Sequence, residues 1–257
     1  MILKIESSKN NLYKTIKKLN TKSQREKLGL YLAEGKRNVM DLIKHNALID
    51  TLIVSTDYII DFDHKDLKVC VFSKELFNSL SDTVTSQGIM ALIKMENKSV
   101  SQMDLKDDKV IVYLDNLQDP GNMGTIIRTC DAFGVDKLVL SKGCVDIYNP
   151  KVVRSTMASI LNVSIFNDED TCLTFKLFKD NGFKIVSTSP KGEDLSVNAN
   201  YTDKCVLIIG NEANGVSDLV NSMADMKVKI PMKGNAESLN ASCAHAVMLY
   251  EIMRDRF

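Results

Sequence analysis

Short runs of Val, Ile and Leu that do not alternate with polar residues constrain this chain more than any other feature. "KVIVYLDN", "KLVLS", "NVSIF", "FKIVSTS" and "CVLIIG" follow one another through its second half, and "MKVKIPM" adds a last strand that does alternate. A strand that is apolar on both faces must be covered on both faces, which is the condition of a strand inside a parallel sheet. The segments between them, "NMGTIIRTCDAFG", "NPKVVRSTMASI", "TCLTFKLFKDNG" and "GVSDLVNSM", carry apolar residues at helical spacing, and a closing helix runs from Leu239 to about Arg254. The expectation is an α/β domain with a mostly parallel sheet and helices on both faces.

A smaller α/β block precedes it. "YLAEGKRNVMDLIKHNA" places Val39, Leu42, Ile43 and Ala47 on one helical face, and "IDTLIVST", "LKVCVFS", "KELFNSLS" and "GIMALIKM" read as strand, strand, helix and strand. The polar stretch "ENKSVSQMDLKDD" then predicts a linker. The expected division is residues 1–96, a linker at 97–108, and a second domain at 109–257, with no internal repeat.

Charge separates the two blocks. Up to Lys44 there are eleven Lys/Arg against four Asp/Glu, while the whole chain is neutral, so a basic N-terminal arm precedes a mildly acidic body. Lys14, Lys17, Lys18, Lys22, Arg25 and Lys27 are therefore candidate phosphate contacts, with a solvated helix surface as the alternative. No apolar run is long enough to span a bilayer and the first residues do not form a signal peptide, so a cytoplasmic protein is expected. The six cysteines lack CxxC or Cys/His spacing, which suggests neither a zinc site nor disulfides; buried thiols are expected instead.

In parallel sheets ligands collect beyond the carboxyl ends of the strands. Three loops there stand out: "LDNLQDPGNMGTIIR", "LIIGNEANGVS" and "IPMKGNAESLNASCAHAV". Each also has a plain role. Asp-Pro-Gly is turn chemistry, Asn122 is a good helix N-cap, Gly210 and Gly215 suit positive φ, and Ser238 or Asn240 can start a helix. Their concurrence after strands of one sheet is what raises a binding site above three separate turns. Arg128, six residues beyond Asn122, is expected to face the same cleft.

These loops resemble the three signatures of the SpoU (TrmH-type) RNA 2′-O-methyltransferases. Asn122-x-Gly124 is followed by Arg128, Gly210-x-Glu212-x-x-Gly215 is the second signature, and Ile230-Pro-Met232-x-Gly234 with Ser238-Leu239-Asn240 the third. The first block is similar to the substrate-binding domain, related to a ribosomal-protein fold, that precedes many members. One residue departs from the pattern: Ala241 stands where many members have valine.

The resemblance implies a SPOUT fold with a deep trefoil knot, a homodimer, S-adenosylmethionine as cofactor, no metal, and RNA as substrate, with rRNA of the large subunit favoured over tRNA. It assigns cofactor binding to Thr188, Gly210, Glu212, Ile230, Met232, Ser238, Leu239 and Asn240, and catalysis to Arg128, Asn122, Glu212 and Asn240. Arg128 and Arg154 join the N-terminal lysines as RNA contacts. A guanidinium stays protonated at neutral pH, so a phosphate-fixing and hydroxyl-polarising role suits Arg128 better than that of a free base. His45, His64 and His245 are read as packed or surface residues. Two alternatives stand beside this reading: a non-catalytic RNA-binding or ribosome-assembly factor of the same fold, and a Rossmann-type enzyme, which the absence of GxGxxG disfavours.

Overall fold

The computed structural model describes residues 2–83, 85–194, 201 and 203–256. The chain divides into two units, residues 1–96 with 146–161, and residues 97–145 with 162–257.

In the first unit the order is β1 (Ile2–Ile5), α1 (Asn11–Lys18), α2 (Lys22–Leu28), β2 (Leu30–Glu34), α3 (Lys36–Lys44), β3 (Ile49–Ser55), β4 (Val69–Phe72), α4 (Lys74–Asn78) and β5 (Ile89–Lys94). The sheet is mixed, ordered β1-β4-β3-β5-β2, with β2 and β3 antiparallel to β5. "YLAE" is thus a strand leading into a helix: Tyr31 and Ala33 alternate inward with half-buried Leu30 and Leu32, and Gly35 at φ 100° turns the chain into α3. Phe72, Phe77, Ile16 and Met90 pack in its core, each burial worth roughly 1.5–3 kcal/mol.

After β6 (Val110–Leu114), α5 (Pro120–Phe133) and β7 (Lys137–Leu140), the chain gives α6 (Pro150–Thr156) to the first unit before returning to β8 (Ser164–Asn167). The expected role of "NPKVVRSTMASI" as a cover for the second sheet is therefore corrected. What holds this segment is specific. Asp146 pairs with the Arg25 guanidinium at 2.6 Å, Tyr148 Oη donates to the Glu96 carbonyl at 2.7 Å, and the Tyr148 and Tyr31 rings lie 4.7 Å apart. The bonded partners lie between 52 and 121 residues apart in sequence, beyond the reach of local periodicity.

The second unit continues with α7 (Thr171–Asp180), β9 (Lys184–Asp194), β10 (Cys205–Ile209), α8 (Asp218–Met223), β11 (Met226–Lys229) and α9 (Ala241–Met253). Its sheet, ordered β11-β9-β10-β6-β7-β8, is parallel at every pairing. All five residues of both β6 and β10 are buried, which is why these runs show no alternation. The segment expected as a linker packs as part of this unit: Val100 and Leu105 are buried in its core. Three cysteines (Cys70, Cys130, Cys205) are buried as expected, whereas Cys172 and Cys243 are exposed. Among the described residues no helix is long and apolar enough to cross a membrane.

Candidate active site

The turn after β6 is built by Asp119 rather than Asn122. Asp119 is the N-cap of α5, its Oδ1 accepting from the Asn122 N–H at 2.7 Å, with Pro120 at the first helical position. Asn122 is thereby carried inside the first turn and buried, which frees its side chain for another task. Asn122 Nδ2 donates to Glu212 Oε1 at 3.1 Å. The same carboxylate accepts from the backbone N–H of Asp119 at 2.9 Å and of Gln118 at 3.2 Å, so it sits where a helix N-terminus favours negative charge. Partial burial pushes the Glu212 pKa up, but the Asn122, Asp119 and Gln118 donors outweigh it and hold it below the ordinary value.

The second loop is folded tightly on itself. Asn211 and Gly215 exchange backbone hydrogen bonds at 2.9 Å, and Asn211 Oδ1 accepts from the Ala213 and Asn214 N–H groups. A Cβ on Gly210 would lie 2.2 Å from the Gly215 carbonyl carbon and the Val216 nitrogen, so close backbone approach is what demands glycine there. At Gly215 the demand is different, a φ of 69°. Asn211 Nδ2 donates to the Asn116 carbonyl and the Ser217 N–H to Asp115 Oδ2, which ties this loop to the end of β6.

The second and third loops enclose a cleft of about 400 Å³ with Thr188 and Ser189 of β9. Gly210, Glu212, Ile230, Met232, Ser238, Leu239 and Thr188, seven of the expected cofactor residues, line it together with Ile209, Val216 and Ala241. Met232 and Leu239 stand 40% and 38% exposed, apolar surface that a ligand in the cleft would cover. Thr188 Oγ1 donates to the Ile208 carbonyl at 3.0 Å. Ile209 and Val216 escape notice in the sequence because they read as ordinary strand and loop residues; only their position at the strand end marks them.

Asn240 is outside this lining. Its Oδ1 accepts from Ser242 N at 2.9 Å, Cys243 N at 3.4 Å and Ser242 Oγ at 2.7 Å, so its oxygen is committed to starting α9. Arg128 is also outside it. Six residues of helix rotate it about 120° from Asn122, and it is exposed, with no ion pair among the described residues. His245 is fully buried between helices, its Nε2 3.7 Å from Cys130 Sγ, and burial pushes its pKa down to about 3.

The RNA candidates divide likewise. Lys14, Lys17, Lys18, Lys22 and Lys27 are exposed on α1 and α2. Arg25 is a correction: it is 3% exposed, with Nη1 on the Leu19 carbonyl at 2.6 Å and Nε and Nη2 on Asp146, so it is structural and unavailable to phosphate. Arg154 is part-exposed beside Asp82 at 3.7 Å. Among the described residues no group of His, Cys, Asp and Glu could hold a metal.

Glu212 thus joins the first loop to the second, and the second and third loops share one cleft. The profile of the SpoU rRNA Methylase family matches residues 109–250. This chain belongs to that family. Residues 10–91 match the MRM3-like substrate binding domain. The 23S rRNA (guanosine(2553)-2′-O)-methyltransferase RlmP of Bacillus subtilis is 30% identical over 96% of this chain and 98% of its own length. A 23S rRNA (uridine(2479)-2′-O)-methyltransferase of Streptomyces viridochromogenes is 27% identical over 93% of the chain and 87% of its own. The AdoMet-bound rRNA methyltransferase of Sinorhizobium meliloti shares the fold, with a TM-score of 0.87 at 24% identity, covering 100% of this chain and 99% of that one.

Proposed function

We propose that this SpoU methylase transfers a methyl group from S-adenosylmethionine to a ribose 2′-hydroxyl of large-subunit ribosomal RNA, in the cytoplasm and as a homodimer. The observation that carries the reading is the joining of the first signature to the second through Asn122 and Glu212, at the edge of the cleft that the second and third signatures enclose. The RlmP relative, similar along nearly the whole chain, supports rRNA over tRNA.

The residues present fit the cofactor. The cleft has the volume of a small-molecule site, with Ile209, Val216, Ile230, Met232 and Leu239 as apolar walls and the backbones of Gly210 and Gly215 as polar edges. When bound, S-adenosylmethionine supplies a methyl already activated on sulfonium, so the chain needs no Lewis acid. Glu212, anchored by three donors, fixes the second loop against α5 and so sets the cleft's rim. Arg128 stands outside the cleft of its own chain, so its role in this reading depends on the homodimer: from the second copy it holds the phosphate next to the reacting nucleotide and polarises the 2′-hydroxyl, which lowers the cost of losing the proton. Asn240 acts through α9 by fixing where the third loop ends. The trefoil knot that the resemblance implies is part of this proposal.

The dimer reading rests on α9, which is apolar around its circumference. One side packs on α5 and β10. Beside these contacts Cys243, Val247 and Tyr250, the last meeting Phe133 of α5 edge-on, are exposed at i, i+4 and i+7, an apolar stripe suited to a second copy of the same chain.

Mapping 2′-O-methyl sites in ribosomal RNA from a strain lacking the protein tests the reading, with S-adenosylhomocysteine binding measured by calorimetry on the purified chain. One lost site, restored by the purified chain and cofactor, is the expected result. No lost site together with no binding would leave a non-catalytic RNA-binding factor.

A further inference from the structure

Asn38 sits on α3 in the first unit, 7% exposed, and neither its Nδ2 nor its Oδ1 has a hydrogen-bond partner. Burying both ends of an amide unpaired is costly, and native proteins keep few such groups. This one lines a cavity of about 250 Å³. Arg37 and Arg154 lie at the same cavity, with Met157 as an apolar wall. The nearby carboxylate of Glu34 does not complete the amide, because it is taken up by the Ser81 and Thr83 hydroxyls and the Asp82 N–H. Gln87, the other amide in the wall, is turned to the start of α3, its Oε1 accepting from the Lys36 N–H at 2.7 Å.

We propose that this cavity takes one unstacked nucleotide of the substrate RNA, with the Asn38 amide, both of whose polar atoms are closed to solvent here, turning into the cavity to read the base edge and Arg37 and Arg154 holding the phosphate. An amide offers a donor beside an acceptor, the pattern that the edge of a nucleobase complements, and single-stranded bases are recognised in this way. The two arginines supply the charge that phosphate needs, and Arg154 reaches it by leaving Asp82, a contact of only 3.7 Å. The exposed lysines of α1 and α2 belong to the same unit and make RNA, rather than a peptide, the fitting partner. The inference rests on RNA being the substrate, and it assigns the first unit a specificity pocket rather than general phosphate affinity.

The test titrates the full-length protein with the 5′-monophosphates of adenosine, guanosine, cytidine and uridine while following side-chain amide resonances by NMR. The Asn38 amide, identified by its loss in Asn38→Leu, should shift with at least one of the four. Asn38→Leu should weaken that nucleotide about tenfold or more, two hydrogen bonds' worth, while its thermal midpoint stays the same or rises because an unpaired polar group has gone. Arg37→Ala and Arg154→Ala should weaken the nucleotide but leave the nucleoside unaffected. No shift with any of the four, or undiminished affinity in Asn38→Leu, overturns the pocket. If Asn38→Leu does not fold, the arginine variants still decide, since unchanged nucleotide affinity in both overturns the pocket. S-adenosylhomocysteine binding on the same samples separates the two failures: cofactor bound with no nucleotide response removes the pocket and leaves the methyltransferase reading standing.

Discussion

Asn122 on α5 donates to Glu212 at 3.1 Å, a bond that joins the loop after β6 to the loop after β10. Glu212→Ala removes the shared acceptor of Gln118, Asp119 and Asn122 and leaves a buried amide unpaired. It should cost about 1–3 kcal/mol of stability and weaken cofactor binding, read by denaturant titration and calorimetry. Because the Glu212 pKa is lowered on folding, its contribution is present above its ordinary value of 4.5 and disappears as pH falls through the lower folded value. The variant should therefore lose the part of the acid sensitivity that lies between 4.5 and the lower folded value.

Gly210 and Gly215 should fail differently. Gly210→Ala drives a methyl into backbone 2.2 Å away and forces the loop apart, costing about 1–3 kcal/mol and abolishing cofactor binding. Gly215→Ala meets nothing within 4 Å and pays only for its positive φ, roughly 1–2 kcal/mol, so cofactor binding is weakened and retained. Equal losses of binding in the two variants would contradict the close-approach account.

Val247→Glu and Tyr250→Glu place charge on an exposed stripe and should leave the folded chain intact while shifting the sedimenting species from dimer to monomer. An unchanged mass in both variants would remove α9 as the interface.

His245 gives the chain a pH dependence near neutrality. Its folded pKa of about 3 lies below the ordinary 6.5, so the unfolded chain takes up a proton that the folded chain refuses. Stability should fall as pH drops below 6.5, by about 2 kcal/mol at about pH 5, and continue falling toward the folded value. Urea unfolding of the native chain and of His245→Leu should show this slope in the first and its absence in the second.

Legibility differed from element to element. The runs at 110–114 and 205–209 announce buried strands because both faces are covered, a condition written into every residue. "LYLAE" is short and leads straight into α3, so its strand character emerges only from pairing with β5. Arg25 looks like its exposed lysine neighbours on α2 until Asp146, far along the chain, claims its guanidinium. Asn122 and Asn240 each read both as a possible cap and as a site residue, and the structure divides the roles: Asn122 anchors Glu212 while Asp119 caps α5, and Asn240 caps α9 outside the cleft lining.

Local pattern in the chain specifies the parallel α/β class, the small α/β block before it and the three loops after the strands, because periodicity, turn chemistry and spacing are local properties; the cleft residues came from the family resemblance, which missed Ile209 and Val216 and misplaced Asn240. Only the tertiary structure decided that residues 146–161 belong with the first unit, that Arg128 stands apart from the cleft in a single chain, and that Asn38 is buried without a partner. Each of those depends on which distant side chain arrives with a charge, a ring or an open space, and no local pattern records the arrival.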